Sequence, residues 1–265
     1  MRHPRPPRDG VLHTEMRMQY IRSKAFDLFA VVWTLLFAPS WPILWMAGSP
    51  SRAIRKVARV WIGGFLLGLR YIVGLSHVER GRENIPDGPC IVAANHQSMW
   101  ETLALCRLFP DAAFVAKQEI SRIPVVGWHV KHYPMILIER EAGPSALRKT
   151  VAESRAALAA GRSIVIFPEG TRRRIADPVT FRRGIELLYS ELQVPVLPVA
   201  LNSGAFWSSD RSFKNKGVIT VSYLPPIMPG LPREEFKARA ESMLQAEKER
   251  LLAEVASHRR QRCSA

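Results

Sequence analysis

Short apolar runs that alternate with amphipathic stretches limit the folds open to this chain of 265 residues more than any other feature. The longest amphipathic stretch, SALRKTVAESRAALAAG at 145–161, places Leu147, Val151 and Leu158 on one helical face and stops at a glycine. Strand and helix patterns in alternation predict an α/β domain, with a mixed sheet and flanking helices, over residues 76–255. The runs that we expect to be strands are CIVAA (90–94), AAFVA (112–116), MILI (135–138), SIVIF (163–167), VPVLPVAL (194–201) and GVITVSY (217–223).

A helical pattern closes the domain, and basic residues lie beyond it. Apolar residues recur at helical spacing from Pro232 to about Glu254, which predicts a helix packed on the outside of the domain. Residues 256–265 form a basic tail that we expect to be disordered. Residues 1–20 are predicted to be a flexible basic lead-in, because they are rich in Arg and Pro and have no apolar period.

Residues 21–75 have the composition of a membrane-associated segment. An uncharged run at 28–48 covers 21 positions, which is long enough to span a bilayer, but Pro39 and Pro42 interrupt a straight helix in its middle. A second apolar run follows at 60–69, and basic residues flank the first run on both sides. Positive charge on both sides favours a hydrophobic two-helix hairpin that dips into one leaflet over a crossing. The alternative is a buried helical pair in a soluble core.

The net charge of +15, from 38 Lys and Arg against 23 Asp and Glu, favours contact with anions. The candidates are nucleic acid, an anionic membrane and phosphorylated or acidic substrates, and a general preference for Arg is the alternative explanation. Aromatic residues cluster in the N-terminal segment instead of interleaving with the basic ones, which argues against nucleic-acid binding. The three cysteines lack metal or CxxC spacing and fit a reduced, cytoplasm-facing protein.

Three polar stretches follow predicted strands, where α/β sheets usually carry their chemistry. They are NHQSMWET (95–102), KQEISRIPVVGWHVKHYPMILIER (117–140) and FPEGTRRR (167–174). In the last stretch, Gly170 permits a sharp turn, and Arg172 offers paired donors to a phosphate or carboxylate. The sequence has no G-x-S-x-G, P-loop, G-x-G-x-x-G or H-E-x-x-H motif, which argues against a common serine esterase, a nucleotide-dependent kinase and a zincin.

Glu101 has two candidate roles. Ser98 followed three residues later by Glu101 is a capping box, which satisfies free N–H groups at a helix start. His96 followed five residues later by Glu101 is a candidate catalytic base with the carboxylate that orients it. We expect that one carboxylate oxygen cannot serve both the Ser98 N–H group and the His96 ring.

The stretches NHQSMWE, IPVVG…ER, FPEGTR and VPVLPVAL together resemble the four sequence blocks of the 1-acyl-glycerol-3-phosphate acyltransferases, in order and approximate spacing. The resemblance covers about residues 75–225, and the hydrophobic pair before them is similar to that family's N-terminal membrane motif. It implies the glycerolphosphate acyltransferase type of α/β fold. Two positions depart from the family pattern: Glu101 replaces the usual Asp and is one methylene longer, and Arg173 stands where Ser can follow FPEGTR.

The resemblance also implies a role for individual residues. His96 would be the general base that takes the proton from the free hydroxyl of a lysophospholipid as its oxygen attacks an acyl thioester, and Glu101 would orient its ring. No acyl-enzyme and no metal is implied. The glycerol phosphate would be bound by Arg140, Glu169, Gly170, Thr171 and Arg172, with Lys117 as a further candidate.

The predicted reaction is therefore transfer of a fatty acyl group from acyl-ACP or acyl-CoA to the sn-2 hydroxyl of 1-acyl-glycerol-3-phosphate, giving phosphatidic acid. The thioester is a co-substrate, and no separate cofactor is expected. We expect membrane lipids as partners and the inner membrane as the location, with the catalytic domain facing the cytoplasm. The alternatives are another lyso-lipid acceptor such as lyso-ornithine lipid, lipid hydrolysis through water, and a non-catalytic basic protein bound to membrane or nucleic acid.

Overall fold

The computed structural model describes residues 9–122, 127, 133, 135–138, 143–209 and 213–264. These residues form a seven-stranded sheet with helices on both faces. Its strands are β1 (Leu75–Arg80), β2 (Ile91–Ala94), β3 (Ala113–Lys117), β4 (Met135–Ile138), β5 (Ile164–Ile166), β6 (Val196–Leu201) and β7 (Gly217–Tyr223). Their spatial order is β1-β7-β6-β2-β5-β3-β4.

The sheet is mixed, as predicted. The strands β4, β3, β5, β2 and β6 run parallel, whereas β7 runs antiparallel to β6 and pairs with β1 in parallel. In the centre, Ala93 of β2 lies opposite Ile166 of β5. The chain therefore leaves these two neighbouring strands at the same edge of the sheet, where open α/β folds place their ligands.

Helices cover both faces of the sheet because successive residues of a strand point to opposite sides. Val92 and Ala94 join one core with side chains from α1, α3 and α4, while Ile91 and Ala93 join the other core with α5, α6 and α7. The helices are α1 (Asp9–Phe37), α2 (Ser40–Met46), α3 (Ser51–Gly68), α4 (Trp100–Leu108), α5 (Gly143–Ala159), α6 (Arg183–Leu192) and α7 (Arg233–Ser264).

The predicted strands are all present, but the sequence did not indicate β1 or α6. The β1 sequence LSHVER lacks an apolar run because β1 is an edge strand, whose outward side chains stay exposed. The helix α6 buries Ile185, Leu188 and Leu192 on one face, but its ten residues offer too short a pattern to separate from the basic stretch before it.

The described parts of the two ends that were predicted to be flexible are helical, whereas residues 1–8 and 265 lie outside the residues that the structure describes. Residues 9–20 form the first turns of α1, and Gln19 Nε2 donates a hydrogen bond to the Lys214 carbonyl at 2.9 Å. Glu15 also pairs with Lys216 at 3.5 Å, so the start of the helix is tied to the segment before β7. At the other end, residues 256–264 continue α7 instead of forming a disordered tail.

The hydrophobic segment at 21–75 contains most of α1 together with α2 and α3. The helical structure is interrupted between Phe37 and Ser40, beside the prolines that were expected to interrupt it. The long helices pack together, and the Trp33 indole N–H donates to the Trp61 carbonyl at 2.9 Å. By length and composition alone, Thr14–Met46 is long and apolar enough to cross a membrane, and only 6% of its apolar window is buried. Membrane contact of this segment stays a prediction.

Candidate active site

The candidate site lies where β2 and β5 end side by side. The loop after β2 carries His96 and leads into α4, and the loop after β5 carries Glu169 and Gly170. Two hydrogen bonds from backbone N–H groups hold the loops together: the His96 N–H donates to the Glu169 side chain, at Oε2, at 2.7 Å, and the Arg173 N–H donates to the His96 carbonyl at 2.7 Å. Two of the predicted polar stretches therefore meet at His96.

His96 and Glu101 form a hydrogen-bonded pair. The distance from His96 Nδ1 to Glu101 Oε1 is 2.9 Å, and the longer carboxylate of Glu101 reaches the ring. Because a carboxylate only accepts, Nδ1 must carry the proton in this bond, which leaves Nε2 with a free lone pair. The Nε2 atom has no hydrogen bond to the described residues, and 16% of the His96 side chain is exposed.

Glu101 also caps the start of α4, and our expectation that these two roles exclude each other is wrong. The same oxygen, Oε1, accepts hydrogen bonds from the backbone N–H groups of Ser98, at 2.6 Å, and Gln97. The second oxygen accepts from the Ser98 hydroxyl at 3.0 Å, and that hydroxyl in turn accepts from the Trp100 N–H at 2.9 Å. One fully buried carboxylate thus closes the helix start and orients the imidazole.

Opposing effects set the pKa of Glu101. Burial alone would raise it, but the hydrogen bond and charge of the His96 ring and the Ser98 N–H group bring the pKa below its ordinary value. The carboxylate is therefore ionised at neutral pH and can stabilise a protonated imidazole. A face-to-face contact with Phe167 further fixes the ring of His96, with centroids 4.1 Å apart and planes inclined by 19°.

The side chain of Glu169 contacts the backbone of the loop that carries His96. Its side chain is buried and accepts the His96 N–H, and burial raises its pKa to about 7 although that hydrogen bond acts in the opposite direction. The observed contact is therefore a brace between the loops after β5 and β2. Direct contact of Glu169 with a phosphate stays a prediction.

The remainder of the FPEGTR turn has the expected geometry. Gly170 has a φ of +71°, which favours glycine, and its N–H donates to the Phe167 carbonyl at 2.9 Å. Thr171 and Arg172 follow as exposed side chains. The turn thus presents a hydroxyl and a guanidinium group to solvent close to His96, and their binding of phosphate stays a prediction.

The other two predicted phosphate ligands, Lys117 and Arg140, precede the FPEGTR turn in the chain. Lys117 is the last residue of β3, exposed, at the edge of the sheet where β2 and β5 end. The strand β5 separates β3 from β2. Arg140 lies outside the residues that the structure describes.

Lys248 of α7 is a residue of the site that the sequence did not single out. It is 3% exposed, its Nζ donates to the Asp177 carbonyl at 2.6 Å, and its charge lowers the pKa of Glu169 against the effect of burial. Burial in turn lowers the pKa of Lys248. A signal was present, because Lys248 follows Leu244 by four residues on the apolar face of α7.

Two amides also position the loop after β2. The Asn95 side chain accepts from the Leu201 N–H at 2.7 Å and donates to the Leu201 carbonyl at 3.0 Å, which joins β2 to β6. The Gln97 side chain accepts from the Gly204 N–H at 3.1 Å.

Next to Gly204 lies a cavity of about 680 Å³ whose lining includes Arg174 and Phe206. In the part of the chain that the structure describes, no cluster of three His, Cys, Asp or Glu side chains suits a metal ion.

Comparisons with known proteins identify the relatives of this chain. A family model described as Acyltransferase matches residues 77–202, which include the His96 pair and the FPEGTR turn. The 1-acyl-sn-glycerol-3-phosphate acyltransferase of Pseudomonas aeruginosa is 34% identical over 209 residues, which cover 77% of this chain and 79% of that protein. The alpha enzyme of the same name from Mus musculus is 30% identical over 67% of this chain and 64% of its own length.

A solved structure has the same fold. The crystal structure of the 1-acyl-sn-glycerophosphate acyltransferase PlsC from Thermotoga maritima superposes with a TM-score of 0.70 and 23% sequence identity. The superposition covers 89% of this chain and 98% of the PlsC chain. The predicted α/β fold of the glycerolphosphate acyltransferase type is therefore confirmed.

Proposed function

The chain belongs to the 1-acyl-sn-glycerol-3-phosphate acyltransferase family, and from that premise we propose that it acylates the sn-2 hydroxyl of 1-acyl-glycerol-3-phosphate to give phosphatidic acid. It is an O-acyltransferase, as predicted. The observation that carries the proposal is the hydrogen bond from His96 Nδ1 to the buried Glu101 carboxylate, because it leaves Nε2 free to accept a proton. This geometry supports a general base that acts on an external hydroxyl.

In the proposed reaction, Nε2 of His96 removes the hydroxyl proton while the acceptor oxygen attacks the carbonyl carbon of the thioester. Glu101 stabilises the imidazolium that forms, since its own pKa is lowered and it remains ionised. A carbon–oxygen bond forms, the carbon–sulfur bond breaks, and the departing thiolate takes the proton from His96. The base returns to its starting state without an acyl-enzyme.

The residues of the turn after β5, together with Lys117 and Arg140, are proposed to bind the acceptor. Arg172 and Thr171 stand on the exposed turn after β5, where a guanidinium group can grip a phosphate through paired donors. We assign the same task to Lys117 and Arg140 on the basis of the sequence blocks. Glu169 and Gly170 would contribute by shaping the turn that presents Thr171 and Arg172 to the phosphate. In this arrangement, the Glu169 carboxylate does not need to contact the phosphate.

The donor and the location complete the proposal. The donor is acyl-ACP or acyl-CoA, and the net charge of +15 would attract either anionic carrier. The cavity beside Gly204 is lined by two arginines, Arg174 and Arg260, together with polar and apolar side chains, which suits an anionic acyl thioester. The exposed apolar surface of Thr14–Met46 supports attachment to a membrane. The location that we propose is the cytoplasmic side of the inner membrane, where a lysophospholipid is available.

Product analysis with purified full-length chain tests the proposal. We expect labelled acyl groups from acyl-CoA or acyl-ACP to appear in phosphatidic acid when 1-acyl-glycerol-3-phosphate is present. Lyso-ornithine lipid serves as the competing acceptor, and an incubation without acceptor reports hydrolysis. Absence of transfer to 1-acyl-glycerol-3-phosphate from both donors would overturn the proposed acceptor.

A further inference from the structure

A groove at the junction of α1, α3 and α4 lies away from the His96 pair. It is open to solvent and has a volume of about 540 Å³, and we name it the cationic groove. It meets α4 in the last turn, at Arg107, whereas Glu101 is in the first turn, roughly 9 Å away along the helix axis. The residues that line it are Trp33, Lys56, Arg59, Val60, Gly63, Gly64, Leu67 and Arg107.

Two glycines keep the floor of the cationic groove open. A Cβ atom on Gly64 would lie 2.2 Å from the Trp33 indole, so the indole rests directly on the backbone of α3. At Gly63, a Cβ atom would lie 3.4 Å from Nη1 of Arg107, which is an ordinary contact distance. The guanidinium group of Arg107 therefore reaches across the groove floor.

The three cations of the groove lack anionic partners among the described residues. Lys56, Arg59 and Arg107 are exposed, and none forms an ion pair with a described carboxylate. Other basic side chains of the chain do pair, such as Arg80 with Glu254. Three positive charges held around one small concavity create a site where a compact anion such as a phosphate would be attracted.

Exposed apolar side chains also lie on the two N-terminal helices that line the groove, α1 and α3. Val60 and Leu67 in its wall are each 53% exposed, and Leu35 and Leu36 on α1 are 65% and 67% exposed. Apolar surface on this scale, next to uncompensated positive charge, matches a molecule with an anionic head and a hydrocarbon chain. A soluble phosphate or a nucleic acid would leave the apolar walls without a partner.

From these contacts we infer that the cationic groove binds one anionic phospholipid of the bilayer. Its phosphate lies between Arg59 and Arg107 with Lys56 beside it, and an acyl chain runs over Gly63 and along Leu67. This lipid is a structural ligand that fixes the chain at an anionic membrane surface. The site is separate from the proposed reaction, so its test does not depend on acyl transfer.

Sedimentation of the full-length chain with vesicles tests this inference. The vesicles contain phosphatidylcholine alone, or phosphatidylcholine with about one fifth phosphatidylglycerol, at about 0.15 M salt. We expect the Arg59→Gln and Arg107→Gln double variant to bind the anionic vesicles roughly tenfold to thirtyfold more weakly than the unchanged chain. Binding to neutral vesicles should change less than about twofold, since the apolar surface is intact.

Two further variants separate a site from diffuse attraction. The Arg148→Gln and Arg239→Gln pair removes the same charge from α5 and α7, on the other face of the sheet, and should weaken anionic binding by less than about threefold. Gly63→Leu keeps every charge but fills the groove floor, and it should weaken binding to the anionic vesicles by roughly fivefold or more. Equal losses in the two charge pairs, or unchanged binding by Gly63→Leu, would overturn the inference.

Discussion

At the level of single side chains, Glu101 Oε1 collects three hydrogen bonds, from the His96 ring and from the N–H groups of Gln97 and Ser98. These donors stabilise the charged form of a fully buried carboxylate, so its pKa falls despite the cost of desolvation. The sequence indicated two competing roles for Glu101 because each was inferred from a different spacing, Ser98 to Glu101 and His96 to Glu101. Only the fold brings the helix start and the imidazole to the same oxygen.

Replacing Glu101 tests the orientation of the base. In Glu101→Gln the negative charge is lost, so the amide neither stabilises an imidazolium nor fixes which ring nitrogen is protonated. We expect kcat to fall by roughly 10³-fold with little change in KM for the acceptor. Steady-state kinetics measure this, with Glu101→Asp as the matched control that keeps the charge and should retain more activity. An equal loss in both variants would contradict the role of the charge.

Glu169 predicts how stability depends on pH. Its pKa is raised to about 7 in the folded protein, so the folded state binds more protons than the unfolded state at intermediate pH. The stability that this group contributes is therefore present below its unfolded pKa and is lost as the pH rises through about 7.

The variant Glu169→Gln keeps an acceptor for the His96 N–H group but does not titrate. The difference in free energy of unfolding between this variant and the unchanged chain should shift in favour of the variant by up to about 3 kcal/mol as the pH rises from 5 to 8. Denaturant unfolding at a series of pH values measures the difference. Parallel stability curves for the two proteins would show that Glu169 does not titrate in this range.

At the level of secondary-structure elements, α7 reaches the site from the opposite face of the sheet to α4. Lys248 links it to the loop after β5, through Asp177, and its charge acts on Glu169. The sequence predicted this helix and its packing face. It did not indicate the partner of Lys248 on that face, because Asp177 is distant in sequence. The same limit applies to β1, since a polar edge strand leaves no apolar run.

Lys248→Met should loosen this link while keeping the volume and apolar stem of the side chain. Without the nearby positive charge, the pKa of Glu169 should rise further and move the loss of stability to higher pH. We also expect kcat/KM to fall by roughly tenfold, because the loop after β5 loses its anchor to α7. Arg239→Met, an exposed change on the same helix, is the control and should alter neither the pH profile nor kcat/KM.

At the level of the whole molecule, the exposed apolar residues gather on the N-terminal helices, and the site opens at the carboxyl edge of the sheet. The sequence predicted the α/β class through its alternating strand and helix patterns and the hydrophobic segment through its composition, and its resemblance to the acyltransferase blocks indicated the site residues. It gave no indication of α1 beginning as early as Asp9, because the contacts that hold this end come from residues near 214, distant in sequence.

The exposed tryptophans of α2 test the role of the N-terminal segment. Trp41 and Trp45 are 43% and 66% exposed, so changing both to Ser should leave the free energy of unfolding within about 1 kcal/mol. Binding to neutral and anionic vesicles should both weaken by roughly tenfold or more, because Trp favours the headgroup region. Met228→Ser, an exposed change outside the N-terminal helices, is the control for vesicle sedimentation. Unchanged binding by the double variant would contradict membrane contact through α2.

The proposed general base is tested most directly by kcat of His96→Ala for acyl transfer to 1-acyl-glycerol-3-phosphate. Removing Nε2 should lower kcat by roughly 10³-fold, within the range of general-base catalysis, while vesicle binding and unfolding stay close to those of the unchanged chain. His258→Ala on α7 removes an exposed histidine and should have full activity. Full transferase activity in His96→Ala would contradict the assignment of His96 as the base.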